Sequence, residues 1–395
     1  MVQYGHMKLG TKSKFSVALV ILCLAGGASG AQFARSSLEF VKDIKLGINI
    51  GNTFDVPSGN EIEWGAKPVT RSLIRLYKTK GINAVRIPVT WRMQFSVYDP
   101  KHEIRSAFLD RVQDVVDMCM DEGMVTILNI HHDGGSAGWP KEWLTIDGKN
   151  EDKADAVLAD IWRQIAMRFR DYPEKLVFEA FNEIRKAKSH PGEDGQQVGK
   201  DDWEGKPLYC KTVNRYAKTF YDTVRATGGN NARRYLLIPT YAATDYEPSC
   251  LEWRHPNPKD DHVMVSIHAY EPGWFCLWGD ETKYDRERFA KRFDEVFPML
   301  ERIFAAKGVA VVIGEVNAEL RYHDKDESRP NDTDRVAWAK HYGYEAGRHG
   351  FPCFLWDQGG DKWMGLIDRS KLEWTHPEIV ENFVRGFRVG RRAMR

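Results

Sequence analysis

Neither charge of one sign nor a long apolar run marks this sequence, and each absence excludes a class of partner. Across 395 residues, 57 Lys and Arg against 56 Asp and Glu leave a formal net charge of +1. That balance gives no electrostatic case for binding nucleic acid or an anionic membrane. The apolar run Phe15 to Leu24 is too short to span a bilayer as a helix. No glycine-rich phosphate fingerprint follows the first strand-like run, which argues against a dinucleotide site. Linkers rich in Pro, Ser or Thr are missing as well, so no appended module is expected.

What is present begins with a leader. Lys8, Lys12 and Lys14 precede the apolar run, and Gly26-Gly27-Ala28-Ser29-Gly30-Ala31 follows it, the basic, apolar and small-residue order of a secretory signal. Residues 1–30 are therefore expected to be removed, leaving 31–395 as one domain, exported to the periplasm or beyond, monomeric and without membrane attachment. Removal takes Cys23 and leaves Cys119, Cys210, Cys250, Cys276 and Cys353, an odd number, so at least one thiol stays unpaired. Cys119 in a helical run and Cys353 in an apolar strand read as buried thiols. Cys210, Cys250 and Cys276 sit nearer loops, where one disulfide is compatible with the sequence.

From about residue 45 strands and helices alternate. Strand-like runs are Leu46 to Asn49, Ile82 to Pro88, Val125 to Ile130, Leu176 to Phe181, Tyr235 to Ile238, Val263 to His268, Val309 to Ile313 and Cys353 to Trp356. Helical patterns separate them and Pro377 to Arg388 closes the series, with only the stretch Tyr241 to Asp260 lacking a clear helix. Eight such repeats in a chain of this length predict a single-domain (β/α)8 TIM barrel, an α/β fold, rather than a doubly wound sheet.

In such a barrel the C-terminal strand ends share one mouth. Here those ends carry Arg86 to Pro88, the run Asn129 to Asp133, Asn182-Glu183, Ser266 to Tyr270, Glu315 and Trp356 to Gly360. Two glutamates on two strand tips suit an acid/base and a nucleophile of a retaining glycosidase. His131-His132-Asp133 also invites a metal, but neighbours along a strand point to opposite faces and no cysteine or His-x-x-x-His helix completes a set, so no cofactor is expected.

Seven pieces then resemble glycoside hydrolase family 5, in its order and across nearly the whole mature chain. They are Gly47-Ile48-Asn49-Ile50-Gly51-Asn52-Thr53-Phe54-Asp55, Val85-Arg86-Ile87-Pro88-Val89-Thr90-Trp91, Asn129-Ile130-His131-His132-Asp133-Gly134, Phe178-Glu179-Ala180-Phe181-Asn182-Glu183, Ile267-His268-Ala269-Tyr270, Gly314-Glu315 and Leu355-Trp356-Asp357. The resemblance implies an endo-β-1,4-glucanase with Glu183 as acid/base and Glu315 as nucleophile. Arg86, His131, Asn182, His268, Tyr270 and Trp356 would fill the remaining substrate-binding positions. Ile184 and Val316-Asn317 depart from the family pattern beside the two glutamates and put loop shape in question, while no reacting group is lost.

On physical grounds Glu315 needs donors such as Arg86 and Tyr270 to stay ionised, and the charge of Glu315 should keep Glu183 protonated. Asn182 can bond the sugar 2-hydroxyl. Trp91, Trp139, Trp143, Trp274, Trp278, Trp356 and Trp363 all follow strand ends and are candidates to stack on a polysaccharide substrate, although each could instead be packed. Xyloglucan, mannan or xylan would suit the same machinery. A sugar-binding protein without turnover is the rival of another class, and retention of both glutamates argues against it.

Overall fold

In the computed structural model, which describes residues 33–134, 142–146, 148–186 and 205–394, eight short strands close into a parallel barrel in chain order. They are β1 (Gly47–Ile50), β2 (Ala84–Ile87), β3 (Val125–Asn129), β4 (Leu176–Glu179), β5 (Leu236–Pro239), β6 (Val263–His268), β7 (Ala310–Val316) and β8 (Cys353–Asp357). Closure comes from β8 pairing with β1, from Gly47 opposite Phe354 to Ile50 opposite Asp357. Every strand residue is buried except the half-buried Trp356. Burial on both faces explains why the strands read as continuous Val, Ile and Leu rather than as an alternation. The expected leader lies outside the described residues.

A helix follows each strand: Arg71–Thr79, Ser106–Asp121, Glu151–Arg168, Pro207–Ala226, Glu247–Glu252, Arg286–Ile303, Asp332–His349 and Pro377–Ala393. Local chemistry sets several ends. The Thr70 hydroxyl accepts from Leu73 N, and Asp285 accepts from the amides of Glu287 and Arg288, each satisfying donors that a helix start leaves open. Gly350 stops Asp332–His349 in the left-handed region at φ 73°. The β5–β6 connection, which showed no helical pattern, contains Glu247–Glu252; six residues with Pro248 in the first turn are too few to show a period.

At the N-terminal end of the barrel, Phe33, Phe40, Val41 and Ile44 pack with strand-start residues such as Ala84, Val125 and Ala310 in a core of their own. Phe40 stacks on Tyr235 at 3.9 Å between ring centroids. This plug closes the floor and leaves the C-terminal mouth open to solvent.

All five described cysteines are free and buried, so the disulfide that the sequence left open among Cys210, Cys250 and Cys276 is not formed. Each of those three lies in a separate helix instead of a loop and points into the core. Burial pushes the thiols up, Cys210 to about 11 and Cys119 to about 12, so they behave as small apolar fillers.

Candidate active site

Arg86, on β2 and fully buried, is the hub of the barrel mouth. Its Nε donates to Glu179 Oε2 at 2.7 Å, and its Nη1 donates to Glu315 Oε1 at 2.7 Å and to Asn49 Oδ1 at 2.9 Å. Nη2 donates to Asn182 Oδ1 at 2.9 Å. Side chains from three other strand ends, β1, β4 and β7, are thus gathered around one planar cation, which a lysine could not do.

Glu315 stands near the end of β7, where the β6–β7 register shifts after Ile267 and brings His268 opposite it. A bulge at that point re-aims the side chain toward the mouth. Gly314 makes the approach possible: a Cβ there would lie 2.7 Å from Ser266 Oγ. The Tyr270 hydroxyl donates to Glu315 Oε2 at 2.9 Å. His268 Nδ1 sits 2.8 Å from Glu183 Oε1 and 3.6 Å from Glu315 Oε2. One oxygen of Glu183 and one of Glu315 come within 4.8 Å of each other.

The electrostatics differ from the sequence expectation in one respect. Burial pushes Glu183 up, but the hydrogen bond and charge of His268 outweigh it, with Arg185 adding to the pull, and the carboxyl ends below its ordinary value. Burial raises Glu315 against the pull of His268 and Arg86, and Glu183 adds to the rise. His268 is penalised by burial yet raised overall by both glutamates. Glu183, lowered, and His268, raised, share one hydrogen bond, so the charge of Glu315 does not by itself set the ionisation of Glu183. Burial drives His131 well below its ordinary value and His132 to about 3, so both are neutral.

A cleft of about 790 Å³ opens above these groups, lined by Glu183, His268, Tyr270, Glu315, Trp278, Trp356 and Trp363 among others. Trp278 and Trp363, both on this lining, are 72% and 63% exposed. Trp356 lies over Gly51, where a Cβ would come within 2.6 Å of the indole, and stacks on His131 at 5.9 Å. Trp91, Trp143 and Trp274 are not part of this lining. Trp91 is fully buried and donates to Asn129 O; buried Trp143 donates to Asp133 Oδ1; Trp274 lies under Arg288 and against Phe289. Trp139 lies outside the described residues.

The two departures beside the glutamates have structural uses. Ile184 is buried and its carbonyl accepts from Ala242 N at 3.1 Å. Asn317 donates to the carbonyls of Trp356 and Met364 at 2.8 and 3.1 Å, bracing the strand end that carries the indole.

Every predicted site residue, Arg86, His131, Asn182, Glu183, His268, Tyr270, Glu315 and Trp356, meets at this mouth. Sequence reasoning placed Asn129 and Ser266 at strand ends without giving them a role, and gave none to Asn49 or Glu179, although the carboxylate interrupting the apolar run of β4 was a visible signal of this supporting ring. It also missed Glu271, held by Arg292 Nε and Nη2 at 2.9 and 2.6 Å, and Asp245, pushed well above the carboxylate range by burial and then by Glu271. All three line the far wall of the cleft.

His131 and His132 lie past the end of β3, so strand alternation does not separate them; their rings are 4.3 Å apart and their nitrogens gather with Asp55 within 4.8 Å. Both Asp55 oxygens already accept turn amides, from Thr53 at 2.7 Å and Asn52 at 3.0 Å, the chemistry of a turn anchor. The run Gly134-Gly135-Ser136-Ala137-Gly138 has the spacing of a serine-nucleophile elbow. It follows a turn, not a strand end, and residues 135–141 are outside those described.

Comparison with known proteins agrees with this geometry. Residues 49–362 match the family model Cellulase (glycosyl hydrolase family 5). The chain is 36% identical to cellulase/esterase CelE of Acetivibrio thermocellus over 89% of its own length, though it spans only 40% of that relative. It is 34% identical to endoglucanase B of Neocallimastix patriciarum, covering 94% of this chain and 76% of the other. Among solved structures, a broad-specificity endoglucanase from Clostridium cellulovorans superposes with a TM-score of 0.77 at 32% identity, covering 89% of this chain and 97% of that one.

Proposed function

This chain belongs to glycosyl hydrolase family 5, and from that premise we propose that it is a retaining endo-β-1,4-glucanase acting through Glu183 and Glu315. The observation that carries the reading is the approach of the two carboxylates within 4.8 Å. Retaining enzymes place them about 5–5.5 Å apart, whereas inversion needs roughly 6.5–9.5 Å to admit a water between carboxylate and sugar.

In the proposed cycle Glu315 attacks the anomeric carbon while the proton of the Glu183–His268 pair passes to the leaving oxygen. Filling the cleft with sugar expels water, which disfavours the charged pair and returns the proton to Glu183. Glu183 then takes a proton from the water that cleaves the glycosyl-enzyme. Because Arg86 occupies Asn182 Oδ1, the amide nitrogen of Asn182 is left for the sugar 2-hydroxyl. Tyr270 and Arg86 steady the Glu315 carboxylate as it leaves. Trp356 offers a floor for the sugar on the non-reducing side of the cut, and Trp278 and Trp363 offer further faces.

The pH dependence follows from the same groups. Glu315 must be ionised, and it sits above the ordinary 4.5, so activity rises with pH beyond that value. The Glu183–His268 unit must keep its proton, and His268 sits above the ordinary 6.5, so activity falls only at still higher pH. We expect a bell-shaped kcat/KM profile with its falling limb above 6.5; a falling limb near pH 5 would show that His268 holds no part of the acid's proton.

An aromatic cleft open to solvent suits internal cutting of a flat β-glucan. On carboxymethylcellulose or barley β-glucan, viscosity should collapse before many reducing ends appear. Parallel assays on mannan, xylan and xyloglucan test the substrate: preference for mannan or xylan would refute the glucanase reading and spare the mechanism.

Export and a monomeric state belong to the same proposal. Supporting export are the Lys-led apolar leader and the fact that no helix among the described residues is long and apolar enough to cross a membrane. Mass spectrometry of the exported protein should find a chain starting near Ala31; residues 1–30 still attached would count against it.

A further inference from the structure

Glu179 touches neither the cleft nor any group that reacts in the cycle above. It ends β4 at 0% exposure. Its Oε2 accepts from Arg86 Nε at 2.7 Å and from Asn129 Nδ2 at 3.0 Å, and its Oε1 accepts from Ser266 Oγ at 2.7 Å. A carboxylate stripped of water and paired with an equally buried arginine is weak evidence for a stabilising role, since an apolar pair of similar volume commonly serves stability as well or better. Its worth lies elsewhere.

We propose, on the strength of the glucanase reading, that Glu179 is a positioning residue: from inside the barrel it fixes the plane and the charge of Arg86, so that Arg86 presents one N–H to Glu315 and another to Asn182. The guanidinium is a rigid fork, and an acceptor locked at Nε determines where its two Nη groups point. Glu179 is itself locked from β3 by Asn129 and from β6 by Ser266. The charge matters as much as the direction. One arginine is shared between two carboxylates, so the Glu315 oxygen is oriented without being fully neutralised and keeps its basicity for attack. The groups that face Glu315 are Arg86 from β2, Glu183 after β4, and His268 and Tyr270 at the end of β6. Glu179 reaches it only through the first.

Glu179→Gln separates charge from shape. Its amide oxygen can still accept from Arg86 and Asn129, and its NH2 can donate to Ser266 Oγ, so every hydrogen bond survives while the negative charge is lost. On barley β-glucan we expect kcat to fall about 100-fold with KM near wild type. The rising limb of kcat/KM should move to lower pH, because the whole charge of Arg86 then falls on Glu315. The loss should persist on 2,4-dinitrophenyl β-cellobioside, whose leaving group needs no acid. A residue required only for folding would lower Tm and the titrated fraction of active sites while leaving kcat per active site and the rising limb in place, and that result overturns the proposal. Should Glu179→Gln not fold, Ser266→Ala removes a single bond to Glu179 from outside the cleft; a several-fold loss in kcat with a shifted rising limb is expected, and wild-type values for both would overturn the proposal. Wild-type protein inactive on every β-glucan would refute the glucanase reading before any variant was compared.

Discussion

Glu315→Ala should be folded and nearly inert, with kcat on soluble β-glucan reduced on the order of 10⁴-fold or more, since it removes the carboxylate that Arg86 and Tyr270 hold in place for attack. Truncation leaves room beside the anomeric carbon, lined by Arg86 and Tyr270, both donors suited to an anion. Added azide should enter that room, attack an activated β-cellobioside directly and yield the α-glycosyl azide, a single displacement with inversion. Activity within tenfold of wild type, or an azide product of retained configuration, would remove Glu315 from the role. Product analysis by proton NMR decides it.

Glu183→Ala should behave differently in each of these respects. Loss of general acid assistance costs about 10²–10⁴-fold on a natural glucan, where the departing alkoxide must be protonated. A dinitrophenyl leaving group departs without a proton, so glycosylation of Glu315 should proceed at close to the wild-type rate and the glycosyl-enzyme should accumulate. Azide then attacks that intermediate on the face opposite Glu315, giving the β-glycosyl azide. Opposite azide configurations from the two variants would separate the roles of two carboxylates that lie within 4.8 Å of each other. An equal loss for both leaving groups would indicate that Glu183 is not the acid.

Much of this was legible in the sequence because a parallel barrel writes its topology in local patterns. Buried strands such as Leu236–Pro239 are uninterrupted apolar runs, and the polar residues at strand ends are forced to one mouth by the connectivity. What stayed hidden depends on contacts between distant segments. Nothing near Trp91 in sequence tells that its indole is buried and bonded to Asn129 O, while that of Trp278, equally placed after a strand, is largely exposed on the cleft wall. The β7 strand runs past its expected end at Ile313 to Val316, because the pairing with Cys353 and Leu355 continues across an irregularity that no hydrophobic pattern signals. The sign of the Glu183 shift turns on His268, which lies in another strand and approaches to 2.8 Å. Two glutamates considered alone predict the opposite direction. Glu179 was visible as a break in an apolar run, but its partner on β2 could be identified only from the folded barrel.

The measurement that tests the central claim most directly is covalent trapping. A 2-deoxy-2-fluoro-β-cellobioside with a dinitrophenyl leaving group reacts through an oxocarbenium-like transition state that the fluorine destabilises, while the good leaving group lets the first step proceed, so the glycosyl-enzyme persists. Peptide mapping by mass spectrometry should find a single cellobiosyl adduct, on Glu315. An adduct on Glu183 or on another residue, or full turnover of glucan by a protein that never becomes labelled, would contradict the account.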